Sequence, residues 1–178
     1  RCGVPFENGC FTLRLLNAEY RVAWPEYAIT ADREDAFALT NLPCQTFLLR
    51  YLLEGKQAAL SLGYKTFREM PWGELYITPY TGRCLTRAAF TFGTQVSAFA
   101  AACERMGGEK LSHGDAGYGF AFLGGYRMQI MIYAGDEEFP PSSQILYSDN
   151  FADGFSAEDR VVAGDILISA IRQEMKRK

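Results

Sequence analysis

Two apolar runs meet at a glycine pair in this chain: GYGFAFL over 117–123, Gly124-Gly125, then YRMQIMIY over 126–133. Glycine adopts the positive φ angles that a two-residue hairpin turn demands, so the stretch predicts two long antiparallel strands. A hairpin this apolar cannot stand in water by itself; something must cover it. Tyr118, Phe120 and Phe122 alternate onto one face, and the glycines between them predict that a strand lies against closely packed backbone. The rest of the chain has to supply the cover.

A second hairpin is expected at the N-terminus. Residues 10–16 (CFTLRLL) and 19–24 (EYRVAW) read as strands turning at Asn17-Ala18, and Pro25 ends the second. The polar stretch 30–37 reads as a loop. Asn41 caps a predicted helix through LPCQTFLLRYLLEG, with Pro43 in its first turn and Gly55 as its stop. Phe47, Leu48, Tyr51 and Leu52 share one side of it. YKTFREM at 64–70 is strand-like, and PWG at 71–73 a turn. Thr81 is expected to cap a helix running to about Phe92, which Gly93-Thr94 breaks. In the helix that follows, Val96, Phe99, Ala100, Cys103 and Met106 repeat as an apolar stripe, closed by Gly107-Gly108. Ser156 to Asp159 resembles a capping box before a helix reaching the C-terminus, with Val161, Ile168, Ile171 and Met175 on its buried side. The order predicts one α+β domain: an N-terminal β-hairpin, central helices, a second antiparallel hairpin and a long C-terminal helix.

The 178 residues suit a single core, and 14% aromatic content supplies it without staples. The net charge of −3 argues against a nucleic-acid partner, which favours a basic face. No apolar run approaches the ~18 residues of a membrane-spanning helix, and no signal-peptide pattern is visible. Cys2, Cys10, Cys44, Cys84 and Cys103 form no C-x-x-C pair, so reduced thiols in a cytoplasmic protein are expected. Cys2 and Cys10 flank a loop and could bridge.

Most catalytic motifs are missing. His113 is the single histidine, too few for a histidine metal site, and its nearness to Asp115 is no triad geometry. No phosphate-binding loop pattern occurs. DNFADGFSAEDR at 149–160 imitates a calcium loop, but Phe151 and Arg160 stand where oxygen ligands are required. AGYGFAFL and LYITPY resemble the aromatic strands of an RNA-recognition domain, yet Ala116 replaces the basic residue and Leu123 the last aromatic. No metal site is expected.

What is left is acidic. Asp136, Glu137, Glu138, Asp149, Asp153, Glu158 and Asp159 follow one another with no Lys or Arg between Arg127 and Arg160. Gathered carboxylates can raise one another's pKa or hold a hard cation; they can equally be a solvated rim. Strand alternation would place Asp136 and Glu138 on one side and Glu137 on the other.

Whole segments resemble one family. GDEEFPPSSQILYSDNFADGFSAED (135–159), FLLRYLLEG (47–55), YKTFREMPWGELYITPY (64–80), and FG (92–93) followed by MGGEKLSHGD (106–115) are similar to DUF3786, an uncharacterised prokaryotic domain family, from about Phe37 onward. The resemblance implies a setting in anaerobic bacteria and archaea, and no catalytic assignment. Some members are similar in carrying a cysteine-rich iron–sulfur segment, which the scattered cysteines here do not supply; the cofactor stays open. Residues matching the family motifs include Arg68, Glu69, Tyr76, Asp115, Asp136, Glu137, Glu138, Phe139, Pro140, Asp149, Glu158 and Asp159.

Arg68, Tyr76, Asp115, Asp136 and Glu138 are therefore the candidate ligand-binding residues. The leading expectation is an accessory module of anaerobic metabolism that binds a small ligand, cofactor or protein partner, without nucleic acid or membrane. The alternative is a carboxylate-based, metal-assisted enzyme in which Asp136 and Glu138 act as ligand or base and Arg68 clamps an anion. In a third reading the acidic motif is structural, paired with Arg68 or Arg127.

Overall fold

The computed structural model describes residues 1–177. The N-terminal strands are β1 (Phe6–Glu7), β2 (Cys10–Leu15), β3 (Ala18–Ala23) and β4 (Ile29–Ala31). The β2–β3 hairpin turns at Leu16-Asn17, one residue earlier than expected: Leu15 pairs with Ala18, and Leu16 takes φ 51°. The inward set Ala18, Tyr20 and Val22 decides this, because only that register buries all three while Glu19 and Arg21 face out. The expected loop begins as β4, which pairs with β3, and then closes as a 3-10 turn over Phe37–Thr40.

Helix α1 (Leu42–Glu54) starts where Asn41 accepts a bond from the Cys44 N–H at 2.9 Å. Strand β5 (Tyr64–Thr66) is shorter than the expected 64–70. The Glu69 carboxylate accepts from both the N–H and the hydroxyl of Thr66, at 2.7 Å each, and turns the chain there. Those bonds also hold the Glu69 carboxyl below its ordinary pKa.

The largest departure from expectation follows. Helix α2 (Gly73–Tyr80) runs without interruption through a π segment (Thr81–Thr86) into α3 (Arg87–Phe92). Thr81 is helical interior, at φ −56° and ψ −48°, and caps nothing. Ile77, Thr78 and Pro79 disfavour helix locally, but packing overrides them: the Tyr80 ring stacks on Phe67 at 4.1 Å. Pro79 removes one ladder donor, and the helix widens into the π turn just beyond it.

Helix α4 (Val96–Arg105) buries Phe99, Ala102 and Cys103. Then come β6 (Glu109–Leu111), β7 (Ala116–Leu123), β8 (Tyr126–Tyr133) and β9 (Ser142–Ser148). The β7–β8 hairpin turns at Gly124 (φ 58°) and Gly125 (φ 91°). A Cβ on Gly117 would stand 2.5 Å from the His113 carbonyl oxygen, the close backbone approach its glycines signalled. Tyr118, Phe120 and Phe122 point into the core, so none is free to stack on a base.

After the short α5 (Phe151–Gly154), the Ser156 capping box forms as expected and α6 (Ala157–Met175) begins. The sheet order is β4-β3-β2-β7-β8-β9-β5, with β1 on β2 and β6 on β7. The β2–β7 join is a single Leu15–Leu123 pair, so the one nine-stranded antiparallel sheet is narrowest there. Helix α6 is buried on most of its surface, packed against α1, α2, α4 and the π segment. Among the described residues no helix is long and apolar enough to cross a membrane.

Candidate functional site

The acidic trio lies past the end of β8, where strand alternation no longer applies. The Asp136 carboxylate Oδ1 accepts from the N–H groups of Glu138 (2.8 Å) and Phe139 (2.7 Å), and the Asp136 N–H donates to the Phe139 carbonyl at 2.9 Å. The loop is thus folded on its own aspartate. Pro141 then seats it: a Cβ on Gly93, at the end of α3, would fall 2.4 Å from the Pro141 Cβ. Glu137 and Glu138 are exposed, and among the described residues no ion pair reaches the trio. Asp136 and Glu138 line a surface groove with Gly93, Thr94 and Pro140.

The remaining candidates lie elsewhere. Arg68, in the turn after β5, pairs with Glu74 at 3.0 Å, both side chains largely in solvent. Tyr76 is an exposed residue of α2. Asp115 accepts from the Ala134 N–H at 2.8 Å and closes the open end of the β7–β8 ladder. Arg127 is taken by the Tyr64 hydroxyl (3.2 Å) and by Glu109 (2.6 Å). Arg68, Tyr76 and Asp115 do not line the groove that holds Asp136 and Glu138. Among the described residues no three His, Cys, Asp or Glu side chains gather as a cation would need.

A larger cavity, about 680 Å³, opens between α1, the Pro71–Trp72 turn and the start of α6. That volume is in the range of small-ligand sites. One wall is a stack of rings: Phe155 lies parallel to Phe47 at 5.2 Å and to Tyr51 at 5.5 Å. The lining also includes Arg160, 1% exposed, whose guanidinium lies 5.5 Å over the Phe67 ring and donates from Nη2 to the Pro71 carbonyl. Its Nε and Nη1 have no hydrogen-bond partner. Burial pulls the guanidinium below its usual pKa, and Tyr147 and Asp159 oppose that pull.

Two further features mark this cavity. Trp72 lies at its edge, 71% exposed, in the left-handed conformation at φ 63°. It occupies the N-cap of α2 but gives that helix no side-chain cap; the Gly73 N–H donates instead to the Met70 carbonyl at 3.0 Å, and Glu74 stands in the first turn. On the other side Arg50 bridges Asp159 (3.3 Å) and Glu54 (3.6 Å). Asp159 is itself held by the Ser156 hydroxyl at 2.7 Å.

The family model for a domain of unknown function, DUF3786, matches residues 1–170. The chain belongs to the DUF3786 family. No curated protein and no solved structure matches it.

The DUF3786 match takes in the N-terminal hairpin as well as the segments from Phe37 onward, and all of the cavity wall formed by Arg50, Trp72 and Arg160. No sequence motif marks Arg50, Trp72 or Arg160 as a site residue. One signal was present: Arg160 stands in the first turns of a helix, where the dipole disfavours a cation. A second was Trp72, a bulky residue directly before the glycine that opens α2. Asp159, among the DUF3786 motif residues, is the acid of the long acidic stretch that reaches this cavity buried.

Proposed function

We propose that this DUF3786 chain is a small-ligand-binding module, with its ligand held in the cavity between α1, the Pro71–Trp72 turn and α6. The single observation that supports this most strongly is Arg160. A buried guanidinium with two unpartnered donors is costly, and an acceptor brought by a ligand relieves that cost. The ring stack of Phe47, Tyr51 and Phe155 supplies apolar surface beside it, the mixture of apolar wall and few polar groups that such sites use. The accessory role in anaerobic metabolism rests on the family resemblance alone. Placement in the cytoplasm has the support of five free thiols.

Thermal-shift screening of the full chain against metabolites, cofactors and metal salts tests the reading. A ligand at a hundredfold excess over its Kd adds about 2.7 kcal/mol, several degrees in Tm for a chain of this size. The shift should be smaller in Arg50→Gln and in Trp72→Gly. Silence across the whole panel, or a shift that both variants retain undiminished, overturns the proposal.

A further inference from the structure

We infer that the cavity takes a small ligand combining an oxyanion, a phosphate or carboxylate, with a flat ring. This rests on the proposal that the cavity is the binding site, and goes beyond it by naming the chemistry.

Two guanidinium groups line the cavity and define its anion end. The Nε and Nη1 of Arg160 are buried and without a hydrogen-bond partner. Arg50 is half-exposed and shares its charge between Asp159 and Glu54, so it can turn toward a ligand without losing both partners. Guanidinium groups select a compact negative group with several acceptor oxygens. Such an anion also offsets the burial of Arg160.

The ring end follows from the aromatic groups. Trp72 keeps its indole largely in solvent while its backbone is held in a conformation unfavourable for a side-chain-bearing residue. Backbone strain of this kind gathers at ligand clamps. Phe155, in the same lining, is the middle ring of a parallel stack. A planar ligand body can use both aromatic surfaces; a flexible aliphatic chain makes poorer use of them.

Trp24 and Trp72 are the tryptophans of the chain. In a Trp24→Phe background, Trp72 fluorescence therefore reports on the cavity directly. The probes are inorganic phosphate, benzoate, phenyl phosphate and adenosine 5′-monophosphate, with benzyl alcohol and adenosine as uncharged counterparts. Ring-bearing anions should quench Trp72 saturably and bind roughly tenfold or more tighter than their uncharged counterparts. Added salt should weaken them, and the benzoate and phenyl phosphate arms separate carboxylate from phosphate. Arg50→Gln should cost several-fold in affinity. Arg160→Gln should abolish binding; if it fails to fold, Arg50→Gln alone carries the test. If uncharged ring compounds bind as tightly as the anions, the anion inference is overturned while the ligand site stands. If no anion quenches Trp72, or if Arg50→Gln binds unchanged, the inference is likewise overturned. Failure of the cavity as a site of any kind is read separately, as silence in the broad thermal panel.

Discussion

Trp72 and Asp136 show how differently two conspicuous residues are used. A side-chain-bearing residue in the left-handed region carries roughly 1–2 kcal/mol of backbone cost, and Trp72 sits there at φ 63° with little burial in return. Glycine at this position removes the cost but loosens the unfolded chain by a comparable amount. Trp72→Gly should therefore leave stability within about 1 kcal/mol of wild type, measured by urea unfolding, while removing the ring from the cavity edge. A loss of several kcal/mol would mean that the indole is a packing residue, and the ligand reading would lose its rim. Asp136 is the reverse case, a carboxylate whose Oδ1 is occupied by two backbone N–H groups. Asp136→Asn keeps an acceptor oxygen and should melt like wild type, whereas Asp136→Ala should melt about 2–4 °C lower. An equal lowering of both variants would show that charge, and not the turn, is what the loop needs. The trio looked like a site in the sequence because charge and spacing are visible there. That its aspartate bonds its own loop depends on where β8 ends, which no pattern fixes.

Elements with a strong period were legible, and those set by long-range contact were not. Both hairpins, α1, α4 and α6 follow from alternation, caps and apolar stripes that agree with their final packing. Helix α2 was hidden because Ile77, Thr78 and Pro79 speak against a helix, while the Phe67–Tyr80 stack and the packing on α6 that favour it are long-range. The cavity was hidden for the same reason: α1, the Pro71–Trp72 turn and α6 come together from distant parts of the chain. The π segment offers a test of such contact. It sets Cys84 against α6, where the thiol donates to the Val161 carbonyl at 3.4 Å. A Cβ on Gly164 would come within 2.8 Å of the Cys84 sulfur and 3.0 Å of the Tyr147 hydroxyl. Helix propensity alone would favour Gly164→Ala by up to about 1 kcal/mol. Overpacking should win, making the variant about 1–3 kcal/mol less stable in chemical denaturation. Adding Cys84→Ala should recover part of that loss, a coupling that a double-mutant cycle reads directly. A stabilised Gly164→Ala protein would show that the two elements are not in close contact.

At the scale of the whole molecule, the core holds an unusual set of weak acids. Burial pushes the thiols of Cys44 and Cys84 from 9.0 up to about 12, and Cys103 higher still. The phenols of Tyr20 and Tyr118 rise from 10.0 to about 12, chiefly by burial, and Tyr147 is raised well above its ordinary value by the same cause. Cys2 and Cys10 are only half-buried. Folded protein at pH 8 should therefore react with a thiol reagent such as DTNB at Cys2 and Cys10 alone, and at all five cysteines once unfolded. Fast labelling of Cys44 or Cys84 in folded protein would contradict the burial described here. The same groups set the alkaline limit of the fold. Each has a higher pKa folded than unfolded, so above pH 9 the unfolded chain gives up protons that the folded chain keeps. Their contribution is complete below pH 9 and is lost as pH rises toward 12, each thiol removing about 1.4 kcal/mol per pH unit across that window. Losses accumulating over several such groups are of the order of a whole net stability of roughly 5–15 kcal/mol. Circular dichroism followed against pH should show cooperative unfolding between about pH 10 and 11.5, shifted upward in Cys44→Ala, which removes one of the acids if the cavity it leaves is small. A native spectrum held to pH 12 would mean that these side chains reach water in the folded protein.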